Sequence, residues 1–217
     1  MDKQTILTTI KKVKENSHKR NFNQTVDFII NLKEIDVKKQ EHNINSFITL
    51  NHPIGKKVKV CALVSHGLAT KAKEVVDKVI TDIEFEKQSK KDIKKLAREY
   101  DYFIAEATII SKVANTFGKI LGPKGKMPNP NAGCIINPAT NIKSIYDKLQ
   151  KTIHLQTKNE PIIKCVVGTE KMSDEEIVDN TLTVYNNILS LLPQEKSNIN
   201  SLILKLTMSQ PFEIEGK

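Results

Sequence analysis

Phe22-Asn23-Gln24-Thr25-Val26-Asp27-Phe28-Ile29-Ile30-Asn31-Leu32 is the stretch on which the fold turns. Its even positions are mostly apolar and its odd positions mostly polar, the period-two pattern of a strand with one face on a core and the other open. Asn23, Thr25, Asp27 and Asn31 fall on the open face. A last strand of the same kind is predicted over 199–208, with Ser201, Lys205 and Thr207 opposite Leu202, Leu204, Leu206 and Met208. The same parity puts Phe22 and Met208 on the apolar sides of their strands, supporting the polar surface from below.

The middle of the chain is patterned differently. Residues 58–64 are a nearly continuous apolar run, 68–78 read as a helix and Val79-Ile80 as a short strand. A helix over 90–100 turns Ile93, Leu96, Ala97 and Tyr100 inward; a strand follows at 102–105 and a helix at 108–121. Another helix begins near Asn141, with Ile142, Ile145, Tyr146 and Leu149 inward. Apolar strands alternating with helices predict a parallel sheet covered on both faces.

Around that unit the alternating style returns. A first helix carries Ile6, Leu7, Ile10 and Val13 on one face and ends in the basic pair Lys19-Arg20; a shorter strand lies near 47–50. Strands at 153–157 and 162–168 flank the turn Lys158-Asn159-Glu160-Pro161. Ser173-Asp174-Glu175-Glu176 is a capping-box start for a helix with Ile177, Thr181, Val184, Ile188 and Leu191 on one side. The expected architecture is α/β and α+β in two domains. A discontinuous α+β sandwich domain comes from both termini, residues 1–56 and 151–217, and a Rossmann-like α/β domain, 57–150, is inserted into it. His52-Pro53-Ile54-Gly55-Lys56-Lys57 has linker composition, and two chain crossings make a hinge.

The chain has 217 residues, 39% hydrophobic and 27% charged, which excludes disordered, collagen-like and coiled-coil classes. No apolar run approaches the ~18 residues that span a bilayer, and the first twenty residues are too charged for a signal-peptide core. No membrane partner and no export are expected. Three cysteines without C-x-x-C spacing and five histidines without H-E-x-x-H or H-x3-H spacing point to a reduced, cytoplasmic chain with no protein-built metal site. Cys61 and Cys165 read as small apolar fillers.

With 34 Lys+Arg against 25 Asp+Glu, the net charge is +9, which fits a polyanion partner and equally a basic surface that only keeps the protein soluble. Residues 56–150 hold 18 Lys+Arg and 10 Asp+Glu, so the outer segments are nearly balanced. Electrostatics alone places RNA on the middle unit. Placing it on the outer unit requires hydrogen bonding and shape to decide, with Lys19, Arg20, Lys164 and Lys205 as local cations. If the two alternating strands share a sheet with their polar sides together, Thr25, Ser201, Lys205 and Thr207 make a flat face suited to RNA 2′-hydroxyls and base edges.

The loudest local motif is Leu121-Gly122-Pro123-Lys124-Gly125-Lys126-Met127-Pro128. It is not a P-loop: counting back four residues from Gly125-Lys126 leaves Ile120 where the first glycine is required, and Met127 replaces the hydroxyl residue that would hold magnesium. Ser65-His66-Gly67-Leu68 after the apolar run is no G-x-G-x-x-G, and no G-x-S-x-G occurs. Asp174-Glu175-Glu176 complements a helix dipole. Lys124 and Lys126, with exposed backbone amides, are secondary RNA or tRNA contacts. The alternatives are a nucleotide-dependent enzyme using the middle α/β domain and a generic basic DNA-binding module.

Three collinear segments, Arg20-Asn21-Phe22-Asn23-Gln24-Thr25, the glycine-rich loop and Lys205-Leu206-Thr207-Met208, resemble the large-subunit ribosomal protein family of the mobile stalk beside the tRNA exit site, in its archaeal form. The resemblance implies a non-enzymatic protein without a cofactor, working on the large ribosomal subunit in the cytoplasm. It implies that the terminal-half domain grips large-subunit rRNA and that the stalk assists release of deacylated tRNA from the exit site. It also implies that the same surface binds the protein's own mRNA and represses its translation, and that the protein is a monomer when free of the ribosome. The contacts it implies are Phe22, Thr25, Lys164, Gly168, Ser201, Thr207 and Met208; Arg20 and Lys205 are added on chemistry. The family usually places Gly after Thr-Met, where this chain has Ser209 and then Gln210-Pro211.

Overall fold

The computed structural model describes residues 2–36, 39, 43–137, 140–157 and 159–214. The chain begins with helix α1 (Lys3–Glu15) and strands β1 (Thr25–Leu32) and β2 (Asn45–Thr49). Next come β3 (Val60–Val64), α2 (His66–Lys73), β4 (Lys78–Thr81), α3 (Asp82–Phe85), α4 (Lys90–Glu99) and β5 (Tyr102–Glu106). They are followed by α5 (Ile110–Leu121), β6 (Ile135–Ile136) and α6 (Ile142–Leu149). The last elements are β7 (Thr152–Gln156), β8 (Ile162–Thr169), α7 (Asp174–Leu191), β9 (Ile199–Leu206) and β10 (Phe212–Glu213). The fold is mixed α/β with parallel and antiparallel sheets, and its contacts divide into two compact units, Met1–Lys56 with Lys151–Lys217, and Lys57–Gln150.

In the first unit the sheet order is β10-β9-β1-β8, antiparallel throughout. Period two decides its faces: Val26, Phe28, Ile30 and Leu32 of β1 and Leu202, Leu204 and Leu206 of β9 are buried. Ile6, Ile10 and Val13 of α1 and Ile177, Val184 and Ile188 of α7 complete the same core. Each such side chain contributes about 1.5–3 kcal/mol by leaving water. The capping box forms as the sequence predicts: Glu176 N–H donates to Ser173 Oγ, and Ser173 N–H to Glu176 Oε2. β7 and β8 do not pair with each other; β7 pairs with β2 and β8 with β1.

In the second unit β4-β3-β5-β6 is a parallel sheet. All five residues of β3 are buried, as a continuous apolar run requires. Ile93, Leu96 and Ala97 of α4 pack with Val113, Phe117 and Leu121 of α5, and the Phe85 ring meets Phe117 edge-on with centroids 5.2 Å apart.

Several element ends differ from the sequence reading. α1 stops at Glu15, because Asn16 turns its side-chain amide back onto Lys12 O, and Lys19-Arg20 lies beyond the helix. α2 stops at Lys73; the amides of Val75 and Val76 fold back onto Ala72 O, and Lys78 already begins β4. Leu191, expected inward, is 44% exposed, and Leu192, extended after the helix end, is buried instead. β1 begins at Thr25 and β9 ends at Leu206, so Phe22 and Met208 lie outside the strands and parity does not govern them. Both point to solvent, 52% and 58% exposed. Of the predicted turn at 158–161, Lys158 lies outside the described residues.

Candidate nucleic-acid interface

Strand register sets the open face of the antiparallel sheet. Asp27 stands opposite Lys205, Ile29 between Ile203 and Lys164, and Asn31 opposite Ser201. At one end the Thr25 and Thr207 hydroxyls lie 3.0 Å apart; at the other, Asn31 Nδ2 donates to Ser201 Oγ at 2.7 Å. The two polar rows therefore share one face. That face is not uniformly polar, because half-buried Ile29 and Ile203 occupy its middle. Ser201 and Thr207 are six strand residues apart, ~20 Å at the rise of a β-strand, so the structure does not bring Ser201 to the threonine pair.

What gathers at the threonine end comes from three chain segments. Lys19, Arg20, Asn21, Phe22, Asn23, Glu170 and Lys171 line one open groove. Gln24, fully buried, ties the segments together. Its Oε1 accepts from Met208 N–H at 3.1 Å, its Nε2 donates to Ser17 Oγ at 3.1 Å, and its carbonyl accepts from Glu170 N–H at 2.9 Å. Gln24 thereby ties the segments that carry Met208, Ser17 and Glu170 to the start of β1, next to Thr25 in the chain. Sequence reasoning missed Gln24 and Lys171; the available signal for Gln24 was a polar residue at an even position of an otherwise apolar row. Ser209 closes the strand end: its Oγ accepts from Leu206 N–H at 2.8 Å. Its φ is not positive, so the turn needs no glycine there.

Lys164 is exposed in mid-face, away from the groove. Gly168 is buried opposite Val26 beside a β-bulge, and a Cβ there would meet Met172 Sδ and Ile177 Cγ1, each at 3.1 Å. This glycine is explained by packing toward α7 and does not sit on the open face. In the glycine-rich loop, Lys124 and Lys126 N–H donate to Leu121 O and Gly125 N–H to Gly122 O, so these amides are not free for phosphate. The Lys126 ammonium donates to Tyr100 O at 2.7 Å, and burial lowers its pKa. Lys126 therefore locks the loop to the end of α4, whereas the Lys124 side chain is exposed.

Two acids stand on the open face, Asp27 in β1 opposite Lys205 and exposed Glu213 in β10 opposite Ile203. Burial raises the pKa of Asp27, against the opposing pull of the Thr25 hydroxyl, which donates to Asp27 Oδ1 at 3.2 Å, and of the Lys205 charge.

In the parallel unit, the carboxyl ends of β3 and β5 form the crevice where α/β sheets usually take nucleotides. Here that place holds Glu106, only 4% exposed, whose Oε2 accepts from Ser65 N–H at 2.9 Å and whose Oε1 accepts from Thr108 Oγ1 at 2.6 Å. Burial disfavours its charge, but the Ser65 and Thr108 hydrogen bonds outweigh this and hold the carboxyl below the usual range. A carboxylate on the Ser65 amide takes the donor that a phosphate would need. Cys61, Cys134 and Cys165 are buried, and burial pushes their thiols up to about 12, 11 and 12. Among the described residues no three His, Cys, Asp or Glu gather as metal ligands, and no helix is long and apolar enough to cross a membrane.

The model of the ribosomal protein L1p/L10e family matches residues 11–210. The large ribosomal subunit protein uL1 of Pyrococcus abyssi is 39% identical over 219 residues, covering 99% of this chain and 97% of that protein. The uL1 proteins of Methanothermococcus thermolithotrophicus and Methanocaldococcus jannaschii are 36% and 35% identical over 217 residues; each alignment covers 99% of this chain, with 100% and 97% of the relative. Proteins of this kind are in general not enzymes. Both threonines and the exposed Phe22 and Met208 fall within the matched span, and the chain belongs to the L1p/L10e family of ribosomal proteins.

Proposed function

We propose that the protein is a structural component of the large ribosomal subunit, in the cytoplasm, that binds rRNA directly through the threonine end of its antiparallel sheet. The observation that carries this reading is the Thr25–Thr207 hydroxyl pair, with exposed Met208 next to Thr207 in the chain and, on the segment leading into Thr25, exposed Phe22 in a groove with Lys19, Arg20 and Lys171. Each part has a task in RNA recognition. An exposed aromatic ring stacks on an unpaired base, worth ~1–3 kcal/mol; hydroxyls match the 2′-hydroxyl; cations meet phosphate. Lys205 adds a cation one pair further in, and Lys164 and Ser201 extend the contact where the RNA reaches mid-face or the far end. Gly168 takes part only through its backbone.

The finer reading follows the family. The protein forms the mobile stalk and assists release of deacylated tRNA from the exit site, with Lys124 as a secondary contact; free of the ribosome it is a monomer. The same groove binds a similar structure in its own mRNA and represses translation. Residues 1–56 with 151–217 act as the rRNA-binding domain, and 57–150 as an inserted Rossmann-like domain without nucleotide chemistry or a cofactor.

Titration of a stalk fragment of large-subunit rRNA with variants tests the placement. Thr207→Ala and Met208→Asp are expected to weaken binding about tenfold or more, and Lys124→Ala by less than threefold. Equal losses from the loop variant would overturn it. The leader of the protein's own mRNA should displace the rRNA fragment completely; a ternary complex would separate repression from this surface.

A further inference from the structure

We infer that the outer face of α4 is a second RNA-binding surface, separate from the groove of the antiparallel sheet, that takes the phosphate backbone of an RNA helix without reading its sequence. In Lys90-Lys91-Asp92-Ile93-Lys94-Lys95-Leu96-Ala97-Arg98-Glu99, the residues Ile93, Leu96 and Ala97 are buried and all five cations are exposed. At 3.6 residues per turn, Lys90, Lys94 and Arg98 recur ~40° apart, and Lys91 and Lys95 extend the same side, so the cations cover about 140° of the helix. The row from Lys90 to Arg98 is ~12 Å long by helical rise, the axial reach of about three successive phosphates of one strand.

The two acids of the helix both act on Lys95 and leave the other four cations of this face unopposed within the helix. Asp92 is occupied at the N-terminus, where Ser89 Oγ donates to it at 2.6 Å and Ser89 N–H at 3.2 Å. Glu99 lies with Asp92 on the helix edge beside the cations, in range of Lys95 alone at i−4. The ion pairs among the described residues engage Lys3, Lys14, His52 and Lys57, and none of the five cations of α4.

A face that merely keeps a protein soluble would place opposite charges at i,i+4. Three of the four charged i,i+4 pairs of this helix are like instead, Lys90 with Lys94, Lys91 with Lys95, and Lys94 with Arg98, and only Lys95 with Glu99 is of opposite sign. Like pairs at that spacing are destabilising, and Lys90 and Lys91 in the first turn also oppose the helix dipole. Local stability is thus given up for a concentrated positive surface. An RNA helix is the partner that fits, because its closely spaced phosphates reward such a row by releasing condensed counterions. Of the net +8 of residues 56–150, which the groove of the other unit does not use, this helix holds +3.

The test uses the full-length chain, a random-sequence RNA duplex of about 20 base pairs as probe, and the triple variant Lys90→Gln, Lys91→Gln, Lys94→Gln. Affinity is titrated across a salt series, with Thr207→Ala as the second protein. The triple variant should bind the duplex about tenfold more weakly, with the slope of log affinity against log salt shallower by about 2, and should melt no lower than the parent. Thr207→Ala should leave the slope unchanged. A triple variant with the parent's slope would overturn the proposal. So would polyglutamate displacing the probe as well as unlabelled duplex does at equal charge, since the face would then be taking acidic polypeptide as readily as RNA.

Discussion

Thr25 and Thr207 hold each other through both backbone and side chain: Thr207 N–H donates to Thr25 O at 3.1 Å, Thr25 N–H donates to Thr207 Oγ1 at 3.1 Å, and the two hydroxyls are 3.0 Å apart. The ladder between β1 and β9 therefore ends in a clamp in which one hydroxyl replaces a backbone acceptor. Thr207→Val keeps the shape and removes the acceptor. Because the site is exposed, water takes its place and the stability loss stays under about 1 kcal/mol. Binding of the rRNA stalk fragment should fall about tenfold, whereas Thr207→Ser stays within about twofold. Fluorescence anisotropy titration reads both, and a Val variant that binds like Ser would show that the hydroxyl does not touch RNA.

Gln24 fixes the loops that carry the exposed side chains. Its amide serves Met208 N–H on one side and Ser17 Oγ on the other, in a site closed to water. Gln24→Leu fills the same space and leaves two partners unpaired, which should cost about 1–3 kcal/mol in urea unfolding. The rRNA fragment should bind at least as weakly to this variant as to Thr207→Val, although Gln24 touches no solvent. Loss of stability with full RNA affinity would make it a core residue only.

The contrast between 22–32 and 58–64 was legible because burial on one face or on two writes itself directly as period two or as an unbroken apolar run. Strand ends were not legible. β1 starts at Thr25 and β9 stops at Leu206 because Gln24 turns inward to Met208 and Ser209 Oγ takes Leu206 N–H. The first of these joins residues 184 apart in sequence. Parity carried past those ends put Phe22 and Met208 beneath the surface, whereas both lie outside the strands and are exposed. The same blindness applies to Lys126, whose ammonium is spent on Tyr100 O. The distance of Ser201 from Thr207 was legible, since six strand residues fix it.

Glu106 predicts a pH dependence for the parallel unit. Its folded pKa is held below the usual carboxylate value, so the folded state favours the charged form. The stability this contributes is present above the unfolded carboxylate pKa and is lost as pH falls through the lower, folded one. Glu106→Gln should cost about 1–3 kcal/mol at pH 7, and its difference from the parent should shrink steadily on acidification below about pH 4. Urea unfolding at several pH values measures this. A difference that does not change with pH would assign the loss to shape and not to charge.

Asp27 carries the opposite sign. Burial raises its pKa above the ordinary 3.8, with the Thr25 hydrogen bond and Lys205 only partly offsetting it. Between the unfolded value and the raised one, the folded chain binds more protons than the unfolded chain, so stability falls as pH rises through that window and stays lower above it. Asp27→Asn should therefore be as stable as the parent or more so at pH 7, with any advantage vanishing on acidification. The same carboxylate stands two residues along β1 from Thr25, next on the open face to the hydroxyl pair where RNA is to approach. Asp27→Asn should raise affinity for the rRNA fragment a few-fold at neutral pH, and the parent should approach the variant's affinity as pH is lowered toward the raised pKa. Weaker binding by Asp27→Asn at pH 7 would reverse the assignment, making the carboxylate an acceptor for a 2′-hydroxyl instead of a repulsive neighbour of phosphate.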